Sequence, residues 1–146
     1  MADVHDVANY FLSLSNDEDS GDLISNLKLQ KLVYYAQGIH LAVYGEPLFD
    51  DPIEAWTHGP VVPSLYFEYR EFGSGPIQAS EDAGFESLTP DQQELLDEVW
   101  SVYGQFSAWK LRNMTHAEAP WKNATEKSQK TITHAALTEY FKEQLA

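Results

Sequence analysis

The length, composition and charge of this chain limit what it can be. Its 146 residues are 43% hydrophobic, which suffices for the core of one domain, so we expect a single domain spanning 1–146. The absence of cysteine excludes disulfides, thiol nucleophiles and cysteine-ligated zinc. The formal net charge of −14 disfavours direct binding to nucleic acid or anionic membranes and favours attraction of basic proteins.

The N-terminus shows no targeting signal. No basic leader precedes an apolar run, and no apolar stretch approaches the roughly 18 residues that a membrane span needs. We therefore expect an unprocessed, soluble protein of the cytoplasm.

The first predicted element is a helix from Asp3 to about Leu14, whose apolar residues recur at helical spacing. Residues 15–22 follow, and because they are short, charged and free of large apolar side chains, they predict a solvated loop. This acidic loop also offers a contact for a basic partner.

The helix predicted for 26–44 is the element around which we expect the rest of the chain to pack. Ser25 or Asn26 can cap its start, and Gly45 followed by Pro47 ends it. Its apolar face carries Leu29, Leu32, Val33, Ala36, Ile39, His40 and Val43. The opposite face is polar and aromatic, and we interpret it as a binding face: Lys28, Gln30, Lys31, Tyr34, Tyr35 and Gln37.

The chain then changes period. Residues 53–57 alternate apolar and polar side chains, as a short strand does. His58, Gly59, Pro60 and Val61 predict a turn, and Pro63 is well placed to begin a helix that runs to Gly73, with Leu65, Tyr66, Tyr69 and Phe72 on its inner face.

The second half of the sequence predicts three more helices. After a surface loop at 74–88, Thr89 and Gln92 form a capping box that opens a largely buried helix. A short helix at 108–114 turns Trp109, Leu111 and Met114 inward, 122–130 is a polar loop, and Thr133 caps a last helix. The predicted fold is mainly α (α+β), a bundle of about five to six helices around 26–44 with a small β element near 53–57.

Catalytic or metal-binding chemistry has one weak candidate. Glu54 and His58 at the end of the short strand suggest a general base pair or two metal ligands, and His116 with Glu118 invites a shared pocket with them. No third ligand or nucleophile lies nearby in sequence, and there is no phosphate loop, nucleophile elbow or zinc helix. A structural role for His58 at the turn is favoured, and we expect no cofactor and no metal.

Aromatic residues give better evidence for binding. Four Trp and eight Tyr exceed what one small core requires, and such residues dominate binding surfaces. About half of the tryptophans should lie in the core.

Four motifs in order resemble one known family. LKLQKLVYYAQ at 27–37, GEPLF at 45–49, IEAWTHGPVVPSLYFEY at 53–69 and HAEAPW at 116–121 resemble the SocA-like or Panacea antitoxin domain, also known as phage-associated GepA-like proteins. The likeness covers nearly the whole chain. The matching positions are Leu29, Leu32, the polar face of the central helix, Trp56, His58, Gly59, Pro60, Val61, His116, Pro120 and Trp121.

The resemblance implies a mostly helical cytoplasmic module that neutralises a co-encoded toxin by direct binding. One member of the family instead delivers its toxin to a AAA+ protease of the ClpXP type. None of the motif residues is implied to be catalytic. The resemblance therefore favours a binding module, with Lys28, Lys31, Tyr34, Tyr35, Gln37, Trp56 and His58 as candidate partner-binding residues.

A second class of function stays open beside the antitoxin. A small hydrolase or metal enzyme would have to use His58, Glu54 and His116. It is the weaker hypothesis because the residues supply no third group.

Overall fold

A computed structural model of the chain describes residues 1–15, 24–78 and 83–145. Seven α-helices and three short strands lie within these ranges. They are, in chain order, α1 (Val4–Ser15), α2 (Asn26–Tyr44), β1 (Ile53–Trp56), β2 (Gly59–Val61), α3 (Pro63–Tyr69), α4 (Pro90–Tyr103), α5 (Ala108–His116), α6 (Ala119–Glu126), β3 (Thr131–Ile132) and α7 (His134–Leu145). A single 3₁₀ turn, Arg70–Phe72, extends α3.

Helix α2 is the centre of the fold. It packs against α1, α3, α4, α5, α7 and β2. Both of its ends are capped by the neighbouring residues, as the sequence predicted. The Ser25 side chain accepts a hydrogen bond from the amide of Lys28, and Gly45 closes the helix in the left-handed conformation. The predicted bundle around 26–44 is confirmed, with seven helices in the described ranges where about five to six were expected.

The β element is a three-stranded antiparallel sheet of order β2-β1-β3. Trp56 pairs with Gly59 and Glu54 with Val61, so His58 stands at the tip of a tight hairpin. Ile53 and Glu54 pair on the other side with Ile132 and Thr131. The strand near 53–57 was predicted, whereas β2 and β3 are too short to show an alternating pattern.

The interpretation of α2 as a helix with one exposed binding face is wrong. Its polar face is as buried as its apolar face, and Lys31 and Gln37 are 0% exposed. Conversely, Val43, which was placed on the core face, is 54% exposed because it lies in the last turn, beyond the surrounding helices. Before its last turn the helix is largely enclosed on all sides, so its two faces there differ in polarity but hardly in access to solvent.

Two other segments differ from expectation. The segment 122–130 was predicted to be loop, but its first half belongs to α6 (Ala119–Glu126). Pro120 does not break this helix, because it lies in the first turn, where a backbone N–H has no partner within the helix. Trp109 does not turn inward and is 57% exposed. Most of the predicted loop at 15–22 lies outside the described residues, with Ser15 ending α1.

The remaining helix predictions hold. Thr89 and Gln92 form the capping box of α4, and the Thr133 hydroxyl accepts a hydrogen bond from the amide of Ala136 at the start of α7. In the described ranges, no helix combines the length and the apolar character needed to cross a membrane.

Gly38 sets the approach of α7 to α2. A Cβ placed there would lie 2.2 Å from two ring carbons of Phe141, which is itself buried against Tyr34 and Tyr35. Only glycine fits at this helix crossing without displacing the ring.

We expect Gly38→Ala to destabilise the fold by about 1–2 kcal/mol, because overpacking outweighs the roughly 1 kcal/mol that alanine gains in a helix interior. Urea unfolding measures this change. Gly84→Ala is the control, since a Cβ at Gly84 meets atoms no closer than 3.7 Å and should change stability little. Equal midpoints for the two variants would refute the packing argument.

Candidate functional site

The buried polar side chains of α2 hold the backbone of distant segments. Gln37 accepts a hydrogen bond from the amide of Leu48 at 2.7 Å and donates one to the carbonyl of Phe49 at 2.8 Å. Gln30 accepts one from the amide of Val62 at 2.9 Å, just after β2. Backbone groups that neither strand nor helix satisfies are thus paired by side chains of α2, which avoids the cost of burying them unpaired.

Two buried lysines of α2 also hold the backbone of distant segments, through hydrogen bonds from their ammonium groups. The Lys28 ammonium donates to the carbonyl of Gly104 at 2.7 Å and lies 5.4 Å from the centre of the Trp100 ring. The Lys31 ammonium donates to the carbonyl of Pro60 at 3.1 Å. Burial, and secondarily the positive charge of Arg112, lowers the pKa of Lys31 to about 7.

The two adjacent tyrosines of α2 share one carboxylate. Tyr34 and Tyr35 donate to the two oxygens of Glu118 at 2.9 and 2.8 Å, and Tyr35 also stacks on Tyr103 at 3.9 Å. Burial raises the pKa of Glu118 to about 7, although both hydroxyl hydrogen bonds favour its ionised form. This cluster fixes the start of α6 against α2.

Gly59 allows the tip of the hairpin to pack closely against α2. Its φ is +115°, and a Cβ at this position would lie 2.7 Å from Cε of Lys31 and 2.9 Å from the hydroxyl of Thr115. The tight turn therefore needs glycine both for its backbone conformation and for its close contact with the buried lysine.

Trp121 and His116, from the motif at 116–121, also hold the hairpin of β1 and β2 in place. The Trp121 indole N–H donates to the carbonyl of Trp56 at 2.8 Å, and the His116 ring stacks on Trp121 at 3.9 Å, nearly parallel. His116 also hydrogen-bonds the backbone of Thr57. Burial lowers the pKa of His116, as do the positive charges of Arg112, Lys31 and His58, and its Nε2 atom is buried without a partner.

What this framework presents to solvent is a groove of about 580 Å³ beside the hairpin. Its walls come from the start of α2, from β1 and the turn, and from α3 with the segment that follows. The lining residues are Asn26, Leu27, Gln30, Ala55, Trp56, Thr57, His58, Val61, Tyr66, Arg70, Gly73 and Ser74. A mostly apolar cleft with a few polar groups is the usual form of a binding site.

Exposed aromatic residues extend the groove on both sides. Phe67, 54% exposed, contacts the Trp56 ring at 6.1 Å and lies under the guanidinium of Arg70. Trp109, 57% exposed, lies 6.4 Å from His58 and under the guanidinium of Arg112. Large exposed aromatics around a cleft are typical of protein-binding surfaces.

The structure separates the candidate catalytic residues. Glu54 accepts a hydrogen bond from the Trp56 indole and lies 3.8 Å from Lys130, while the carboxylate of Glu118 is taken by the two tyrosines. His58 accepts a bond from Arg112 at 3.4 Å. His58 and His116 do lie close enough to influence each other, but neither has the carboxylate partner that the sequence suggested. Within 1–15, 24–78 and 83–145, no cluster of three His, Asp or Glu residues fits a metal ion.

The candidate partner-binding residues thus fall into two groups. Trp56 and His58 lie at the groove, whereas Lys28, Lys31, Tyr34, Tyr35 and Gln37 are buried behind it. Sequence reasoning missed Phe67 and Arg70 and placed Trp109 in the core. One pattern in the sequence could have identified these residues. An aromatic residue stands three positions before an arginine at Phe67–Arg70 and at Trp109–Arg112, and residues at this spacing are neighbours on one face of a helix.

We expect Glu118 to lower the stability of the protein as pH rises from about 4.5 to 7, because the folded state holds the Glu118 proton more tightly than the unfolded state does. The lowered pKa of His116 acts in the opposite direction, so the contribution of Glu118 is measured by comparison with a variant that lacks the carboxyl. This carboxyl accounts for about 2–3 kcal/mol of that decline. Glu118→Gln, which keeps the shape, should flatten the decline. Urea midpoints at pH 5, 6, 7 and 8 for both proteins measure the difference, and parallel pH profiles would refute it.

Comparison with known proteins agrees with the motifs. The family model described as antitoxin SocA-like, Panacea domain, matches residues 29–122. Antitoxin SocA of Caulobacter vibrioides (strain NA1000 / CB15N) is 34% identical over 109 residues, a match that covers 67% of this chain and 58% of that protein. No solved structure matches significantly. Because the family model spans more than half of the sequence, the chain belongs to the SocA-like antitoxin family with a Panacea domain.

Proposed function

We propose that this protein is an antitoxin that neutralises a co-encoded toxin by direct protein–protein binding, and that the groove beside the hairpin is the contact surface. The observation that carries the proposal is the combination of an apolar groove with exposed aromatic residues on both sides. Family membership supports the antitoxin role, and the separated histidines and carboxylates support binding rather than catalysis.

The motif residues of α2 act in this proposal as the scaffold of the contact surface. Gln30 and Lys31 hold the backbone around β2, and Glu118 ties α6 to α2 through the two tyrosines. Lys31, Tyr34 and Tyr35 are fully buried and reach a partner only if the fold opens. Four of the matching motif residues line the groove, and of these Trp56 and His58 are more exposed than the buried Gln30 and Val61, so Trp56 and His58 are the motif residues in position to touch a toxin.

We expect Phe67→Ala to weaken toxin binding about tenfold, since aromatic residues are enriched among the interface positions whose truncation costs more than about 1 kcal/mol, and Phe67 is an exposed aromatic beside the groove residue Trp56. Val102→Ala is the matched control, because Val102 is a similarly exposed apolar residue, on α4. The partner is the product of the neighbouring gene, co-expressed to score growth rescue and co-purification and then titrated by calorimetry.

The outcomes of this experiment separate the candidate functions. Rescue with a stoichiometric complex that Phe67→Ala weakens and Val102→Ala does not would support direct neutralisation through the groove. Rescue with loss of the toxin and no stable complex would indicate delivery to a AAA+ protease. Absence of rescue would refute the antitoxin proposal and return attention to His58 and His116 as enzyme residues.

A further inference from the structure

The chain's two arginines, Arg70 and Arg112, lie at one surface, that of the groove. Arg70 lines the groove, and Arg112 bonds to His58, which lines it too. In the described part of the chain neither guanidinium lies within 4 Å of a carboxylate, although the sequence has 23 acidic residues. On the surface of so acidic a protein, we would expect an arginine to form an ion pair with a carboxylate of the same chain.

Each arginine instead lies over an exposed aromatic ring. The guanidinium carbon of Arg70 lies 5.5 Å from the centre of Phe67, and that of Arg112 lies 4.5 Å from the centre of Trp109. Stacking of this kind holds the guanidinium in place and leaves N–H groups of Arg70 available to a carboxylate. Arg112 also donates from Nε to His58 and from Nη1 to the Asn113 side chain, so a carboxylate would bind its remaining N–H groups or replace these weaker acceptors.

Further positive charge lies behind the turn. Lys31 is enclosed beneath Gly59 with the carbonyl of Pro60 as its acceptor. The charged groups that influence His116 are Arg112, Lys31 and His58, all of them basic. Arg70 and Arg112 therefore bring positive charge to the groove of a chain whose net charge is −14, which favours an anion beside them. The Glu54 carboxylate lies on the strand side of the groove, where the Trp56 indole holds it.

We propose that the groove binds an apolar or aromatic side chain of the toxin that is flanked by acidic residues, and that Arg70 and Arg112 bind those carboxylates. This inference rests on the proposed function and specifies the chemistry of the partner segment. The apolar walls around Trp56 and Tyr66 take the anchor, and the two arginines at the groove take its acidic neighbours. A nucleic acid fits less well, because the rest of the surface repels an extended polyanion.

The test uses Arg70→Gln and Arg112→Gln in complex with the product of the neighbouring gene, titrated at low and high NaCl concentration. Each substitution should weaken the complex about tenfold at low salt and reduce the dependence of affinity on salt. Arg112→Lys, which keeps the charge, should retain most of the salt dependence. Thermal unfolding checks that the variants are folded, and Arg70, being exposed, gives an independent variant if Arg112→Gln unfolds.

Lys110→Gln is the matched control. Lys110 is exposed on the same helix, two positions and therefore roughly 200° around the axis from Arg112. The Lys110→Gln substitution removes one positive charge, as the arginine substitutions do, but leaves the groove side unchanged. The affinity of the complex and its salt dependence should therefore stay close to those of the unsubstituted protein.

The results distinguish this inference from the function on which it rests. A complex that Arg70→Gln and Arg112→Gln weaken no more than Lys110→Gln does would overturn the acidic-segment proposal while direct neutralisation stands. Displacement of the toxin by inorganic phosphate, beyond the effect of NaCl at equal ionic strength, would assign the arginines to a phosphate and overturn it as well. If the unsubstituted protein forms no complex, the proposed function fails and this inference fails with it.

Discussion

Enclosure of α2, complete on nearly all sides up to its exposed last turn, is the constraint on which the rest of the structure depends. A helix surrounded on all sides must find a partner for every polar group that it carries, because an unpaired buried group costs roughly 1–3 kcal/mol. Gln30, Lys31 and Gln37 meet this requirement by pairing with backbone groups of the segments around them. Those segments are thereby fixed in place by side chains of one helix rather than by extended strands.

This arrangement explains how a three-stranded sheet of two to four residues per strand can form part of a binding surface. Strands this short are marginal by themselves. Here the hairpin is held from beneath by Lys31 and from the side by Trp121, whose indole bonds to the carbonyl of Trp56. A rigid turn reduces the ordering cost of association, so the groove beside it is well suited to bind a partner.

The same enclosure gives the motif two different roles. Tyr34 and Gln37, which belong to the motif at 27–37, are buried, so they support the shape of the surface without reaching solvent. Phe67 and Trp109, which do reach solvent, lie beside the motif residues Trp56 and His58. The proposed contact surface is therefore a buried polar scaffold that carries exposed aromatic and basic side chains at its edge.

The sequence by itself determined the ends and the register of the main helices. Ser25, Gly45 and the Thr89 capping box act within a few residues along the chain, so their effect can be read locally. The motifs also identified the family. Helix α6 was missed because its eight residues carry few apolar side chains, although Pro120 in the first turn was a local sign of it.

Only the tertiary structure decided which faces are buried and which residues meet. Periodicity separates the polar from the apolar side of α2, but whether the polar side is buried depends on acceptors and donors that come from segments far away in sequence, such as the carbonyls of Phe49 and Pro60. The same holds for Glu118, whose pairing with Tyr34 and Tyr35 spans more than eighty residues. The groove itself is built from three separate stretches of the chain, 26–30, 55–61 and 66–74, and the fold alone places both arginines beside it.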